Sequence, residues 1–448
     1  MVDLKTYENE FVEAYKKDSF EDHFIKLFDK KGKEILNPEG NNDKWMGDIK
    51  LHINCFLQEA LKLNTVSFLF GTGSSIPLGT ESIVGVPQSI ISCIETAGLK
   101  ETHEQLVSLY NNQVNLETYL SDLFKFSNVY KKYSSNEVGI QIFKKQKDTD
   151  VLHCSKVDKL IETIKLSLFN LCKVPNVEKI KDNYYKNDPL IAHREFVKKT
   201  LARPLNLRRA NLFTLNYDLA FEKAMDELGV LYIDGFVGNI NRTFKPEVYN
   251  YDYYFPATTT EGKVHRLDKV LHLYKLHGSL NWLDCKSIAQ NIYGIVQTKD
   301  DSKYDNAILI YPQLMKEEET LGFPYSEMFR RFSSVIQQPQ NVLIVYGYGF
   351  GDEHVNRVIY NALSISTFQL IVVSWNWTDK IKEFYEKVKD DSRISFMIGK
   401  YLGDWHNFVF NLLPDIKKMK IDEKIVKTMR RLKGENMEET QAEVNENG

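Results

Sequence analysis

The sequence predicts an α/β fold: a doubly wound parallel sheet with a large helical insertion and N-terminal helices. Two observations carry that prediction. Short, continuous apolar runs recur along the chain with helical segments between most of them, and two of those runs lead directly into glycine turns. A chain of 448 residues, 43% apolar and 12% aromatic, supplies a core for one large domain with additions.

The first run is Thr65 to Phe70 (TVSFLF), which ends at Gly71 and reads as a strand buried on both faces of a parallel sheet. Leu212 to Leu215 (LFTL), Ile308 to Tyr311 (ILIY), Val342 to Tyr346 (VLIVY) and Leu370 to Ser374 (LIVVS) read the same way. Ahead of the sheet, residues 1 to 60 read as helical, with Phe11, Ala14 and Tyr15, then Phe24, Leu27 and Phe28, at helical spacing. The sheet domain is expected over residues 61 to 415. Within it, Ser89 to Asn206 carries helical spacing, clearest from Val157 to Cys172, and is expected to be a helical insertion. Gly235 to Lys263 is rich in Asn, Tyr and Thr without a period, which predicts a long loop over the site, able to act as a lid. Residues 416 to 448 form a charged tail that finishes in a Glu/Asn-rich end.

Composition excludes several classes. The 58 basic and 61 acidic residues give a net charge of -3, so nothing attracts nucleic acid globally. Met1 to Phe11 carries Asp3, Glu8 and Glu10 with no apolar h-region, and no run reaches the ~18 apolar residues of a membrane span. A soluble, cytoplasmic protein is expected. Cys55, Cys93, Cys154, Cys172 and Cys285 are scattered and odd in number, which argues against a disulfide framework and suits a reducing compartment. No Cys-x-x-Cys pair occurs, and His272 and His277, five apart, would point to opposite faces of a strand. No metal is predicted.

Four segments carry chemistry. Gly71-Thr72-Gly73-Ser74-Ser75 follows a buried strand, where glycines let backbone approach a pyrophosphate and free amides and hydroxyls donate to it. A plain strand-to-helix turn is the alternative, and the Gly-Lys-Ser/Thr of a Walker A loop is missing. Tyr346 to His354 (YGYGFGDEH) repeats the logic through Gly347 and Gly349, with Asp352 read as a helix cap and His354 as a surface residue. Thr214, Asn216 and Asp218 alternate at the C-terminal end of a strand, the edge where such sheets bind ligands, although Asn216 and Asp218 could equally cap the next helix. His277 ends an apolar segment and precedes Gly278, which leaves an imidazole room and solvent access for proton transfer.

Taken together, these segments resemble the sirtuin family and imply its Rossmann-like, dinucleotide-binding fold. Gly71 to Ser75 resembles the family's Gly-Ala-Gly-x-Ser loop, Gly85-Val86-Pro87 its Gly-Ile-Pro, and Thr214 to Asp218 its Thr-Gln-Asn-Ile-Asp. Leu276-His277-Gly278-Ser279 resembles the segment with the family's catalytic His, and Gly347 to His354 is similar to a late turn of its bacterial branch. The resemblance covers roughly Thr65 to Pro87 and Leu205 to Trp405. Three departures stand out: a longer loop from Gly71 to Gly85, Gln88 and Ser89 where an Arg usually follows Gly-Ile-Pro, and no paired Cys-x-x-Cys zinc module. Without that module, protein deacylation is disfavoured.

The resemblance therefore implies an NAD hydrolase of the kind found in bacterial antiphage defence, where NAD depletion brings about abortive infection. NAD is the substrate. Asn216 would hold the ribose and the attacking water, Asp218 the nicotinamide carboxamide, and His277 would act as base. Gly71, Thr72, Gly73 and Ser74, with Ser75, Thr214, Gly347 and Gly349 nearby, would bind the rest of the dinucleotide. Three alternatives remain: a deacylase, an ADP-ribosyltransferase, or an assembly subunit that binds NAD or ADP-ribose without turnover. By analogy the partners are further copies of the chain and a HerA-type hexameric ATPase, with nucleic acid met only through that partner.

Overall fold

The computed structural model describes residues 24–28, 34–36, 43–81, 86–108, 110, 116–133, 140–143, 149–152, 154–180, 186–256, 264–284, 293–299, 307–309 and 324–416. The chain passes through strands β1 (Phe24–Phe28) and β2 (Glu34–Leu36) and helix α1 (Asp43–Leu61) into β3 (Thr65–Phe70). Helices α2 (Gln88–Thr96), α3 (Lys100–Ser108) and α4 (Leu116–Tyr133), the hairpin β4 (Ile140–Phe143) and β5 (Thr149–Leu152), and helices α5 (Cys154–Cys172) and α6 (Ile191–Leu201) lead to β6 (Asn211–Thr214). Helix α7 (Ala220–Glu227) and strands β7 (Leu231–Ile233), β8 (Phe236–Val237), β9 (Arg242–Phe244), β10 (Tyr254–Pro256) and β11 (Val264–Arg266) follow. Next come β12 (Val270–Lys275), β13 (Gly278–Asp284), β14 (Ile295–Gln297) and β15 (Ala307–Leu309). The last part alternates regularly: α8 (Tyr325–Ile336), β16 (Asn341–Tyr346), α9 (Glu353–Ala362), β17 (Gln369–Ser374), α10 (Asp379–Val388) and β18 (Ile394–Ile398).

The central sheet runs β2-β1-β18-β17-β16-β3-β6-β12-β7. From β18 to β7 all neighbours are parallel, and β1 joins β18 antiparallel at one edge. Read from β12, the order β12-β6-β3-β16-β17-β18 is the 3-2-1-4-5-6 order of dinucleotide-binding sheets, with the switch point between β3 and β16. Register makes this a site. Phe70 pairs with Tyr346 and with Thr214, and Thr214 pairs with Lys275, so four strands end level. The residues that follow them, Gly71, Gly347, Asn216 and His277, therefore leave the sheet along one edge.

Side chains of β3 alternate between two cores, as the twofold repeat of a strand requires. Phe68 and Phe70 point into one with Phe196, Phe221 and Trp405, while Leu69 points into the other with Phe213, Phe332 and Ile359. Helices cover both faces, which is why β3 and β16 are mostly apolar and buried along their whole length. Helices α2 to α5 hold a smaller core of their own around Ile90, Ile94, Leu120, Leu160 and Ile164. The stretch expected as an insertion thus ends early, since Phe196 and Val197 of α6 belong to the main core.

Several expectations need correction. Phe24, Leu27 and Phe28 predict a helix, but the segment is strand β1, whose Ile25 and Leu27 are buried between half-buried Phe24 and Lys26. Five residues satisfy either period, and pairing with β18 decides. The Ile308 run forms β15, which pairs antiparallel with β13 in a second sheet, β15-β13-β14-β9-β8, outside the parallel one. Gly235 to Lys263 is not one irregular loop: it contributes β8, β9 and β10, and Tyr249 is buried and stacked on Tyr274 at 4.3 Å. Residues 257–263, the N-terminal 23 residues and the tail beyond 416 lie outside the described residues, as does Gly85.

Candidate active site

The two glycine turns meet backbone to backbone at the switch point. Gly71 N donates to the Tyr346 carbonyl at 3.0 Å and Gly73 N to the Gly347 carbonyl at 3.1 Å. A Cβ on Gly71 would stand 2.5 Å from the Gly347 oxygen, and one on Gly73 2.6 Å from the Gly347 Cα. Glycine is required here by contact, and at Gly347 also by a φ of 61°. The same contacts correct an expectation. The amides of Gly71, Gly73, Ser74 and Ser75 all donate to backbone carbonyls, so they are not free to cradle a pyrophosphate.

What the first turn does instead is hold Asn216. Its Nδ2 donates to the Gly71 carbonyl at 2.9 Å and to the hydroxyls of Ser75 at 2.9 Å and Ser74 at 3.1 Å, while its own amide donates to Thr214 Oγ1 at 3.0 Å. Ser75 in turn donates to Asp218 Oδ2 at 2.6 Å, and Asp218 Oδ1 accepts from the Ala220 amide at 3.0 Å. Asp218 therefore serves the start of α7 as well as the cleft. Beneath this turn lies Lys275, buried at the end of β12, whose ammonium donates to the carbonyls of Tyr217 (3.2 Å) and Asp218 and pairs with Glu222 at 3.1 Å. Burial pushes the Glu222 carboxyl above its ordinary range and the Lys275 charge opposes that rise. Nothing in the sequence marks this pair, because a lysine after an apolar run reads as a solvated strand end.

His277 follows β12 and its Nε2 lies 3.8 Å from Asp352 Oδ2. It is only 4% exposed, so the open imidazole expected before Gly278 is in fact enclosed, reaching solvent only at the cleft. Asp352 holds the N-cap position of α9, yet its side chain makes no capping bond and turns to His277. His354 is buried too, contrary to its reading as a surface residue, with its ring 5.6 Å from that of His277 and 4.7 Å from that of Phe329. Tyr348 fixes this second turn: its hydroxyl accepts from the Asp352 amide at 3.0 Å and bonds to Asn356 Oδ1 at 3.0 Å.

The glycine turns, Asn216, Asp218, His277 and Asp352 surround a cleft of about 160 Å³. Of the residues picked from sequence, Gly71, Thr72, Ser75, Asn216, Asp218, His277, Gly347 and Gly349 line it. Gly73, Ser74 and Thr214 stand behind the wall, in the contacts just described. Thr80, Glu81, Leu171, Cys172, Leu215, Tyr217, Tyr348 and Asp352 complete the lining. The loop expected over the site from Gly235 to Lys263 contributes no lining among the described residues; Leu171 and Cys172 at the C-terminal end of α5 line the cleft. There burial pushes the Cys172 thiol up to about 12, which keeps it protonated and unreactive.

Residues 210–394 match the model of the SIR2-like domain, a span that includes Asn216, His277 and the Gly347 turn. The Gly71 loop precedes it and reaches it through the sheet. No curated protein matches. Among solved structures, a Sir2 homologue in complex with NAD is similar at 12% identity, covering 80% of this chain and 92% of its own, with a TM-score of 0.38. A Sir2 complex with a p53 peptide and NAD+ shares 10% identity over 83% of this chain and 99% of its own, with a TM-score of 0.35.

Proposed function

We propose that this chain hydrolyses NAD at the bond between nicotinamide and ribose. The observation that carries the reading is that Asn216 and His277, from neighbouring strands, line one cleft at the switch point of a SIR2-like α/β domain. Nicotinamide leaves as a neutral molecule from a cationic precursor, so the site has to stabilise an oxocarbenium-like ribose and direct water to it. Asn216 is suited to that task. With its NH2 held by Gly71, Ser74 and Ser75, its carboxamide oxygen is oriented to accept from a ribose hydroxyl or the incoming water. His277 takes the proton as the new C–O bond forms, and Asp352 at 3.8 Å favours the imidazolium that results. Asp218 accepts from the nicotinamide carboxamide on lone pairs left by Ser75 and Ala220. Thr72 and Gly349 lie along the pyrophosphate.

Its cellular role in this reading is NAD depletion in antiphage defence. Constant activity would be toxic, so assembly with further copies of the chain and with a HerA-type ATPase partner is the proposed gate. Incubation with NAD and no acyl acceptor, first of the lone protein and then with the ATPase partner added, tests the chemistry. Nicotinamide and ADP-ribose should accumulate in equal amounts; turnover that begins only when an acyl-lysine peptide is added would make the protein a deacylase and overturn the hydrolase reading.

A further inference from the structure

We propose that His277, Asp352 and His354 form a binding site for a divalent transition-metal ion, with zinc the best fit, whose occupancy shuts off the cleft. One nitrogen from each ring and one carboxylate oxygen all lie within 4.8 Å of one another. Metal–ligand bonds of about 2.0–2.2 Å limit the separation of two ligands on one ion to roughly 4.4 Å. His277 Nε2 and Asp352 Oδ2, 3.8 Å apart, satisfy that as they stand, and small side-chain rotations bring in the third. Two imidazoles and one carboxylate are the donor set of three-ligand zinc sites that keep an open position, and a single anionic ligand leaves a divalent ion partly uncompensated, ready for a water or an anion.

The surroundings favour an ion as well. The side chains of His277 and Asp352 are 5% and 12% exposed, and the ring of Phe329 packs against His354, so few waters compete for the ligands. Asp352 is held by its amide's bond to the Tyr348 hydroxyl, and Asn356 braces the same turn, its Oδ1 accepting from the Tyr348 hydroxyl and its Nδ2 donating to the Phe350 carbonyl. Such outer contacts pre-orient metal ligands. The regulatory consequence rests on the hydrolase reading. A neutral imidazole has one free lone pair, and once a metal takes it only an N–H donor remains, so His277 can no longer accept a proton.

The test uses full-length protein stripped with EDTA and titrated with Zn2+ by calorimetry, with Co2+ absorption reporting the ligand set. One ion per chain is expected. His354→Gln and Asp352→Asn, each checked for folding by thermal melting, should each weaken binding by more than about 100-fold, beyond the loss typical of an outer-shell change. His265→Gln, at an exposed histidine of β11, should leave binding unchanged. Zinc should lower NAD turnover of the unaltered protein by about 100-fold, the size of a lost general base, whereas in His354→Gln turnover with and without zinc should be the same. No bound ion, or binding in both variants as tight as in the unaltered protein, overturns the site. Ion binding that needs His354 in a protein with no NAD turnover keeps the site and removes the hydrolase; turnover unaffected by zinc that is bound through His354 removes the regulatory role.

Discussion

Asn216 is the most constrained polar side chain in the cleft. Three oxygen acceptors surround one amide nitrogen, and no other side chain of similar size presents an NH2 there. Asn216→Asp would set a carboxylate against the Gly71 carbonyl, so repulsion should open the loop. Asn216→Ala should leave a folded chain with nicotinamide release down by about 100-fold, the cost of a misplaced reacting group; unchanged release in this variant would remove Asn216 from the chemistry. Lys275 acts one step further back. Lys275→Met leaves Glu222 buried without its counter-charge and should cost about 3–5 kcal/mol in denaturant unfolding. Adding Glu222→Leu should restore most of that stability but not NAD turnover, because the carbonyls of Tyr217 and Asp218 still lack their donor. Recovery of both together would show that Lys275 matters only for folding.

At the scale of elements, the site depends on two turns in van der Waals contact. Gly347→Ala combines a left-handed backbone, about 1–2 kcal/mol, with overpacking against Gly73, about 1–3 kcal/mol. A loss of about 2–5 kcal/mol together with lost NAD binding is expected. Gly349→Ala meets no atom within 4 Å and should change stability by less than about 0.5 kcal/mol. Equal effects of the two substitutions would contradict the contact between the turns. Much of this was legible beforehand: β3, β6, β16 and β17 stand out because strands buried on both faces are mostly apolar, and the glycines directly after β3 and β16 mark where backbone comes close. Strand β1 was not legible, since five residues fit helical and alternating periods alike and only the partner β18 chooses. Nor were Lys275, Asp352 and His354 as site residues, because their partners come from elements far away in sequence.

Over the whole molecule, the two cores are closed by buried imidazoles that cannot charge in place. Burial pushes His193 down to about 3, His406 to about 3 and His272 to about 4. As pH falls through the ordinary histidine value near ~6.5, the unfolded chain takes up protons that the native state refuses, so stability declines toward about pH 4, by up to about 1.4 kcal/mol per pH unit for each imidazole. Calorimetric melting at pH 7, 6 and 5 should show a steadily falling midpoint, and a flat profile would mean that these rings are solvated. Among the described residues no helix is long and apolar enough to cross a membrane. The same sheet that buries these rings also sets four strand ends level, and that placement gives the molecule its cleft. The most direct measurement of the central claim is nicotinamide release from NAD by unaltered protein and by His277→Ala side by side, with the same partners present. A drop of about 100-fold or more in a variant that melts like the parent is the predicted result; equal release from both proteins would contradict the assignment of this cleft to NAD cleavage.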